Sequence, residues 1–189
     1  MQSNVVFMIN IKDEKRLERS KPYEYSVKSW SKWCEKNNCE LFILDQYLFE
    51  PDYLIPNWYK LYVFDLLDNE GVDYNQIAVV DADTIIHPDC PNFFELSENK
   101  FCAVHNDGSY DWVCRSLENY SKHVFNNFTF PVWEYINSGF LVLNKKHKQF
   151  FQNVIKFYFM NKDNLLETQK TFGVGTDQTP INYLLRKHD

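Results

Sequence analysis

At 189 residues the chain is long enough for one domain with a sizeable core. Its hydrophobic content of 44% and aromatic content of 17% point to a packed globule and away from disorder. A formal net charge of −6 with no block of basic residues excludes the Lys/Arg patch that nucleic acid requires, so no nucleic-acid partner is expected. No apolar stretch approaches the ~18 residues of a membrane span, so none is expected.

Asn4 to Ile9 (NVVFMI) reads as a first strand. The start of the chain lacks a basic n-region and runs straight into that pattern, so no signal peptide is expected. The alternating signs between Lys12 and Arg19 read as a solvated face. Ser20-Lys21-Pro22 offers a helix N-cap and a first-turn proline, and Val27, Trp30 and Cys34 follow at helical spacing to about Lys36. Glu40 to Leu44 is a second strand. Pro51 and Pro56 bracket a loop, after which Trp58 to Leu67 returns to helical spacing through Leu61, Val63 or Phe64, and Leu67.

Gln76 to Val80, apolar and mostly β-branched after its first residue, is a third strand, followed by a turn at Pro88 and Pro91. Phe101 to Val104 and Phe140 to Leu143 are later strands. Phe150, Phe151, Val154, Ile155 and Tyr158 mark an amphipathic helix, and Thr176 can cap a last one through Leu185. The stretch Asn106 to Tyr135 shows no clear period but is rich in aromatic and Asn residues. With Asp107 and Asp111 it reads either as a sugar-acceptor surface or as ordinary packing over the sheet. Strands alternating with helices predict a mostly parallel, doubly wound α/β sheet in one domain spanning residues 1–189. Five cysteines (Cys34, Cys39, Cys90, Cys102, Cys114) form no C-x-x-C pair and read as reduced thiols of a cytoplasmic protein.

The most informative segment is Gln76-Ile77-Ala78-Val79-Val80-Asp81-Ala82-Asp83-Thr84. If the strand continues, Asp81 and Asp83 project to one side at its carboxyl end, where open α/β sheets bind ligands. Two convergent carboxylates repel unless a cation lies between them, and a hard divalent ion suits oxygen ligands. Neither G-x-x-x-x-G-K nor a complete G-x-G-x-x-G is present, so no glycine-rich loop cradles phosphate.

Two enzyme classes use such a motif. In metal-dependent sugar transferases both carboxylates hold the ion. In phosphatases of the haloacid-dehalogenase type the first, here Asp81, is a nucleophile. The phosphatase pattern wants its Thr one residue later than Thr84, its motif near the first strand, and a downstream acidic pair where Gly175-Thr176-Asp177 has one acid. A non-catalytic sugar-nucleotide-binding domain is a further alternative.

Three more segments accompany the Asp-x-Asp: Trp58-Tyr59-Lys60-Leu61 about 20 residues upstream, the polar turn and strand Ile136 to Asn144, and Gly175 to Asn182 opening the last helix. In this order the set resembles the GT-A glycosyltransferases of family eight, the glycogenin and lipopolysaccharide-galactosyltransferase type, over about Asn4 to Leu185. The resemblance implies a GT-A fold, a UDP-sugar donor, a carbohydrate or glycosylated acceptor, Mn²⁺ or Mg²⁺, and retention of anomeric configuration.

It also implies roles for particular residues. Asp81 and Asp83 would ligate the metal, with the Ala82 backbone near the ribose. Lys60 would contact the donor, and Met8, Ile9 and Asn10 would lie by the nucleobase and ribose. Asn137 and Ser138 would fall in an N-S-G turn near the donor sugar. Asp177 would hold the transferred sugar's hydroxyls, with Gln178 beneath the anomeric carbon. The family's third metal ligand, a His followed by Gly and Lys, has no counterpart in the eleven residues after Gln178, and His188 is not assigned to it. A compact variant with water completing the metal shell, and a core separated from its C-terminal part, both stay open.

Overall fold

The computed structural model describes residues 3–12, 21–50 and 52–187. Ser20, the charged run beyond Lys12, Pro51 and His188 lie outside the described residues. In chain order the elements are β1 (Ser3–Ile9), α1 (Tyr23–Lys36), β2 (Cys39–Leu44), a 3₁₀ segment (Pro56–Tyr62) running into α2 (Val63–Asn69), and β3 (Tyr74–Asp81). Then come α3 (Phe93–Leu96), β4 (Cys102–His105), α4 (Tyr110–His123), β5 (Ile136–Asn144), α5 (Lys148–Met160), α6 (Lys162–Phe172) and α7 (Gln178–Lys187). The strands form one sheet in the order β2-β1-β3-β5-β4. β1 pairs in parallel with both β2 and β3, and β5 runs antiparallel to β3. The expected α/β class with a mostly parallel open sheet and flanking helices is therefore observed.

Chain contacts divide the molecule into two compact units, residues 1–102 with 139–148 and residues 103–138 with 149–189. In the first unit, Val5, Val6, Phe7 and Met8 of β1 are all fully buried. That is the signature of a central parallel strand covered on both faces. α1 buries Trp30, Trp33 and Cys34 against it, and Trp33 stacks on Phe93 with centroids 4.3 Å apart. α3 was not expected; Asn92 caps it, its side chain accepting the Phe94 N–H at 3.2 Å.

The second unit is a helical layer centred on α4, with Phe125 stacked on Tyr183 at 4.2 Å. The aperiodic stretch turned out to contain α4, whose buried face is Val113, Ser116, Leu117, Tyr120 and Ser121. The spacing is helical, but two serines and a tyrosine hold core positions, so hydropathy alone does not trace the stripe. α6 was missed for a related reason, since it buries only Leu165 and Thr168. Asn137-Ser138-Gly139, expected as a turn, is the first half of β5.

Candidate functional site

The strand order supplies the first site. From β1 the chain moves to β2 on one side and later to β3 on the other, so the carboxyl ends of β1 and β3 flank a switch point, where open α/β sheets leave a crevice. Ile9 and Asp81 stand opposite each other there. A cavity of about 310 Å³ opens beyond them, lined by Ile9, Asn10, Ile11, Tyr23, Tyr47, Pro56, Asn57, Lys60, Asp81, Ala82 and Asp83. Six of the residues singled out from the sequence thus share one wall. Met8 does not join them: it is fully buried on the core face, because strand neighbours alternate.

β3 ends at Asp81, which corrects the reason for pairing the two acids. Strand alternation does not carry Asp83 to the cavity. A turn does, closed by Thr84, whose N–H donates to Asp81 O at 3.2 Å and whose hydroxyl donates to the same oxygen at 2.6 Å. The Trp30 indole N–H in turn donates to Thr84 Oγ1 at 3.1 Å. The carboxylate-bearing turn is thereby tied to the core helix α1.

Lys60, expected to contact the donor, differs from a surface lysine in its burial. The 3₁₀ segment buries Trp58, Tyr59, Lys60 and Leu61 in succession, so it is enclosed on every side. The Lys60 side chain is 5% exposed and its Nζ lies 3.1 Å from Asp81 Oδ1, on a carboxylate that is 46% exposed. A buried ammonium stabilised by a carboxylate places fixed positive charge in the cavity wall.

Three of the lining residues offer oxygen atoms of the kind that a divalent cation takes. Asp81 and Asp83 line the same cavity as Asn10, and Asn10 Oδ1 is buried and accepts no hydrogen bond among the described residues. An all-oxygen set suits Mg²⁺ or Mn²⁺. No group of three His, Cys, Asp or Glu residues able to hold a metal occurs among the described residues. Any divalent ion at Asp81 and Asp83 would have to take its remaining ligands from Asn10, water or phosphate.

The other four candidates lie in the second unit, where α7 is bound to the first half of β5. Ser138 Oγ donates to Asp177 Oδ2 at 2.9 Å, and Ser138 N–H donates to Gln178 Oε1 at 3.0 Å. Asn182 grips Ile136 on both sides, accepting from its N–H at 2.8 Å and donating to its carbonyl at 2.9 Å. Asp177 is 4% exposed, and its Oδ1 accepts the Thr176 hydroxyl at 2.9 Å, so Thr176 serves the carboxylate in this structure.

Asn106 Oδ1 accepts from Asn137 Nδ2 at 3.4 Å and from Gln178 Nε2 at 3.3 Å. A cavity of about 640 Å³ opens over this amide cluster, lined by His105, Asn106, Asp107, Gly108, Ser109, Asp111, Trp112, Asn137 and Gln178. Gln178 and Asn137 reach it. Asp177 and Ser138 are not in its lining; Ser138, bonded to Asp177, orients Gln178 through its N–H. Asn106 and Trp112 were not singled out from the sequence, and no spacing marks them.

The loop entering α7 is fixed by α4. Gly175 N–H donates to Ser116 Oγ at 3.2 Å, and Gly175 O accepts from Tyr120 OH at 2.6 Å. Burial pushes the Tyr120 and Tyr135 phenols above their ordinary range, so both act as neutral hydrogen-bonding groups. A Cβ at Gly175 would lie 2.5 Å from Thr179 Oγ1 and 3.0 Å from the Trp112 ring, which makes glycine the residue that fits there.

No protein-family model and no curated protein matches the chain. Among solved structures it is similar to the crystal structure of a glycosyltransferase involved in the glycosylation of the major capsid of PBCV-1. The TM-score is 0.57 at 8% identity, over 82% of this chain and 66% of that one. The likeness is one of fold. No helix among the described residues is long and apolar enough to cross a membrane, and all five cysteines are free.

Proposed function

We propose that the chain is a metal-dependent glycosyltransferase of the family-eight type, which moves a sugar with retention from a nucleotide diphosphate donor, a UDP-sugar, to a carbohydrate or glycosylated acceptor. The observation that carries this reading is the charge arrangement at the β1/β3 switch point. There a buried ammonium, Lys60, stands beside Asp81, with Asp83 on the same cavity wall. Shared fold with a glycosyltransferase supports it.

In this reading Asp81, Asp83 and the Asn10 amide oxygen hold Mn²⁺ or Mg²⁺, which supplies positive charge for the donor's two phosphates. Lys60 supplies the protein's own share of that charge, so negative charge building on the departing diphosphate meets a cation that is already fixed. Ile9, Asn10 and the Ala82 backbone border the space for the nucleoside. As the resemblance implies, Gln178 would offer its amide to the transferred sugar, and Asp177 acts through Ser138, whose hydroxyl it accepts from and whose N–H holds Gln178.

Calorimetric titration of UDP in EDTA and then in Mn²⁺ tests the reading. Affinity at least tenfold higher with Mn²⁺ is expected; equal affinity in both would refute it. A phosphatase built on Asp81 would instead be trapped by beryllium fluoride and would cleave a generic phosphomonoester. Neither behaviour is expected.

A further inference from the structure

The cavity at the β1/β3 switch point carries less negative charge than its two aspartates suggest. The charged residues lining it are Lys60, Asp81 and Asp83, and the Lys60 ammonium lies 3.1 Å from Asp81 Oδ1. The wall therefore presents the formal charge of one carboxylate, that of the exposed Asp83. The two acids are not equivalent: one faces water, the other already faces a cation.

That cation is fixed. The Lys60 side chain is 5% exposed, and its chain neighbours Trp58, Tyr59 and Leu61 are each 2% exposed or less. The 3₁₀ segment carrying it is clamped to the loop after β2 by Tyr59, whose phenol accepts the Phe49 N–H at 3.3 Å and donates to the Phe49 carbonyl at 3.1 Å. Trp58 N–H donates to the Ile55 carbonyl at 3.1 Å, closing the start of the segment. With its backbone held at both places and its stem enclosed, the ammonium meets the cavity on the side of Asp81.

A divalent ion binds ionised carboxylate oxygens, and Asp81 Oδ1 is the atom that compensates Lys60. Ion and ammonium therefore compete for one group. An ion that takes Asp81 deprives a buried ammonium of its compensation, which is unfavourable away from water, and sets like charges in one cavity. A diphosphate relieves both effects at once, because its oxygens accept from the ammonium and offset the charge of the ion.

We propose that Lys60 guards Asp81 against a bare divalent ion, so that metal and donor diphosphate enter the site as a unit. The proposal rests on the sugar-transfer reading given above and adds to Lys60 a second role: it opposes the ion until the donor gives the ammonium a new partner. Occupation by one is then coupled to the other, and the coupling is reciprocal.

The test uses the full chain with Mn²⁺ and UDP as probes. Electron paramagnetic resonance of the free ion reads the binding of Mn²⁺ alone, and calorimetry reads UDP binding at saturating Mn²⁺. Lys60→Met keeps an apolar stem and removes the charge, and Asp81, whose side chain is 46% exposed, is left to water. In this variant Mn²⁺ alone is expected to bind about fivefold tighter than in wild type, and UDP with Mn²⁺ about tenfold more weakly. These shifts have opposite signs, whereas a lysine that served only the fold would weaken both or neither. Mn²⁺ affinity in Lys60→Met at or below that of wild type overturns the inference, and so does undiminished UDP binding. Circular dichroism and the melting temperature check the fold first. If Lys60→Met fails there, Lys60→Gln, which keeps an N–H for Asp81, is measured against the same two outcomes. Wild type whose UDP affinity does not respond to Mn²⁺ overturns the donor reading and the coupling with it. A normal response in wild type without tighter Mn²⁺ binding in the variant overturns this inference alone.

Discussion

The two cavities are built from opposite materials. That of the first unit concentrates formal charge, two carboxylates and a buried ammonium, at the carboxyl ends of parallel strands. That of the second unit is walled by amides and an indole, with carboxylates only at its rim. The contrast shows two ways of making a polar pocket in one fold. One places charge where a sheet already opens a crevice. The other locks neutral groups by hydrogen bonds between a strand and a helix end. A charged site tolerates imprecise geometry, because Coulomb forces fall off slowly. An amide site does not, and this is why the second unit ties down Gly175, Ile136 and Ser138 through their own backbone groups.

The sharpest break between the two would come from Asp83→Ala and Asp81→Ala. Both are expected to lower Mn²⁺-dependent UDP binding by about 100-fold or more, roughly 2.7 kcal/mol, as read by calorimetry. They should part in stability. Asp83 is exposed, so its loss should stay within about 0.5 kcal/mol. Asp81 faces a buried ammonium, so its loss should cost roughly 1–3 kcal/mol in urea denaturation. Equal stability in the two variants would show that Lys60 does not depend on Asp81.

Next, Asp177→Asn is expected to lower sugar transfer or donor hydrolysis by about 10²-fold, with metal-dependent UDP binding unchanged. A large fall in UDP affinity would blur the division between the two sites. Gly175→Ala should then cost about 1–3 kcal/mol by overpacking against Thr179 and Trp112, seen as a lower melting temperature. Smallest is Ser116→Ala, which removes the hydroxyl that accepts the Gly175 N–H, at roughly 1 kcal/mol. A change confined to stability there would leave the second cavity's geometry intact; a loss of sugar transfer beyond it would extend that site to α4.

The two regions were also unequally legible in the sequence. The β1 and β3 strands and the Asp81 to Asp83 segment stood out, because an apolar β-branched run that stops at carboxylates is a strong local signal. Burial of Lys60 did not stand out. It follows from a 3₁₀ segment with all of Trp58 to Leu61 enclosed, and a lysine's letter carries no record of that. α4 was hidden because its core positions include Ser116, Tyr120 and Ser121. Two of those polar groups, the Ser116 and Tyr120 hydroxyls, are the ones that anchor the Gly175 backbone. Asn106 and Trp112 fell inside the same aperiodic stretch, so the second cavity was visible only as an aromatic, Asn-rich segment. Asn137 and Ser138 were seen but placed in a turn, since Asn-Ser-Gly favours one locally, whereas pairing within β5 prevails.

The hydrogen-bond relay from Trp30 through Thr84 to the Asp81 carbonyl has an optical consequence. Trp30 is a core indole with 3% exposure, yet its only polar atom is bonded to the turn that carries both carboxylates. Any rearrangement of that turn changes the dipole environment of the indole N–H and, with it, the emission of this tryptophan. Comparison of wild type with Trp30→Phe would isolate that signal from the other four tryptophans and turn the protein's own fluorescence into a readout of events at the β3 end.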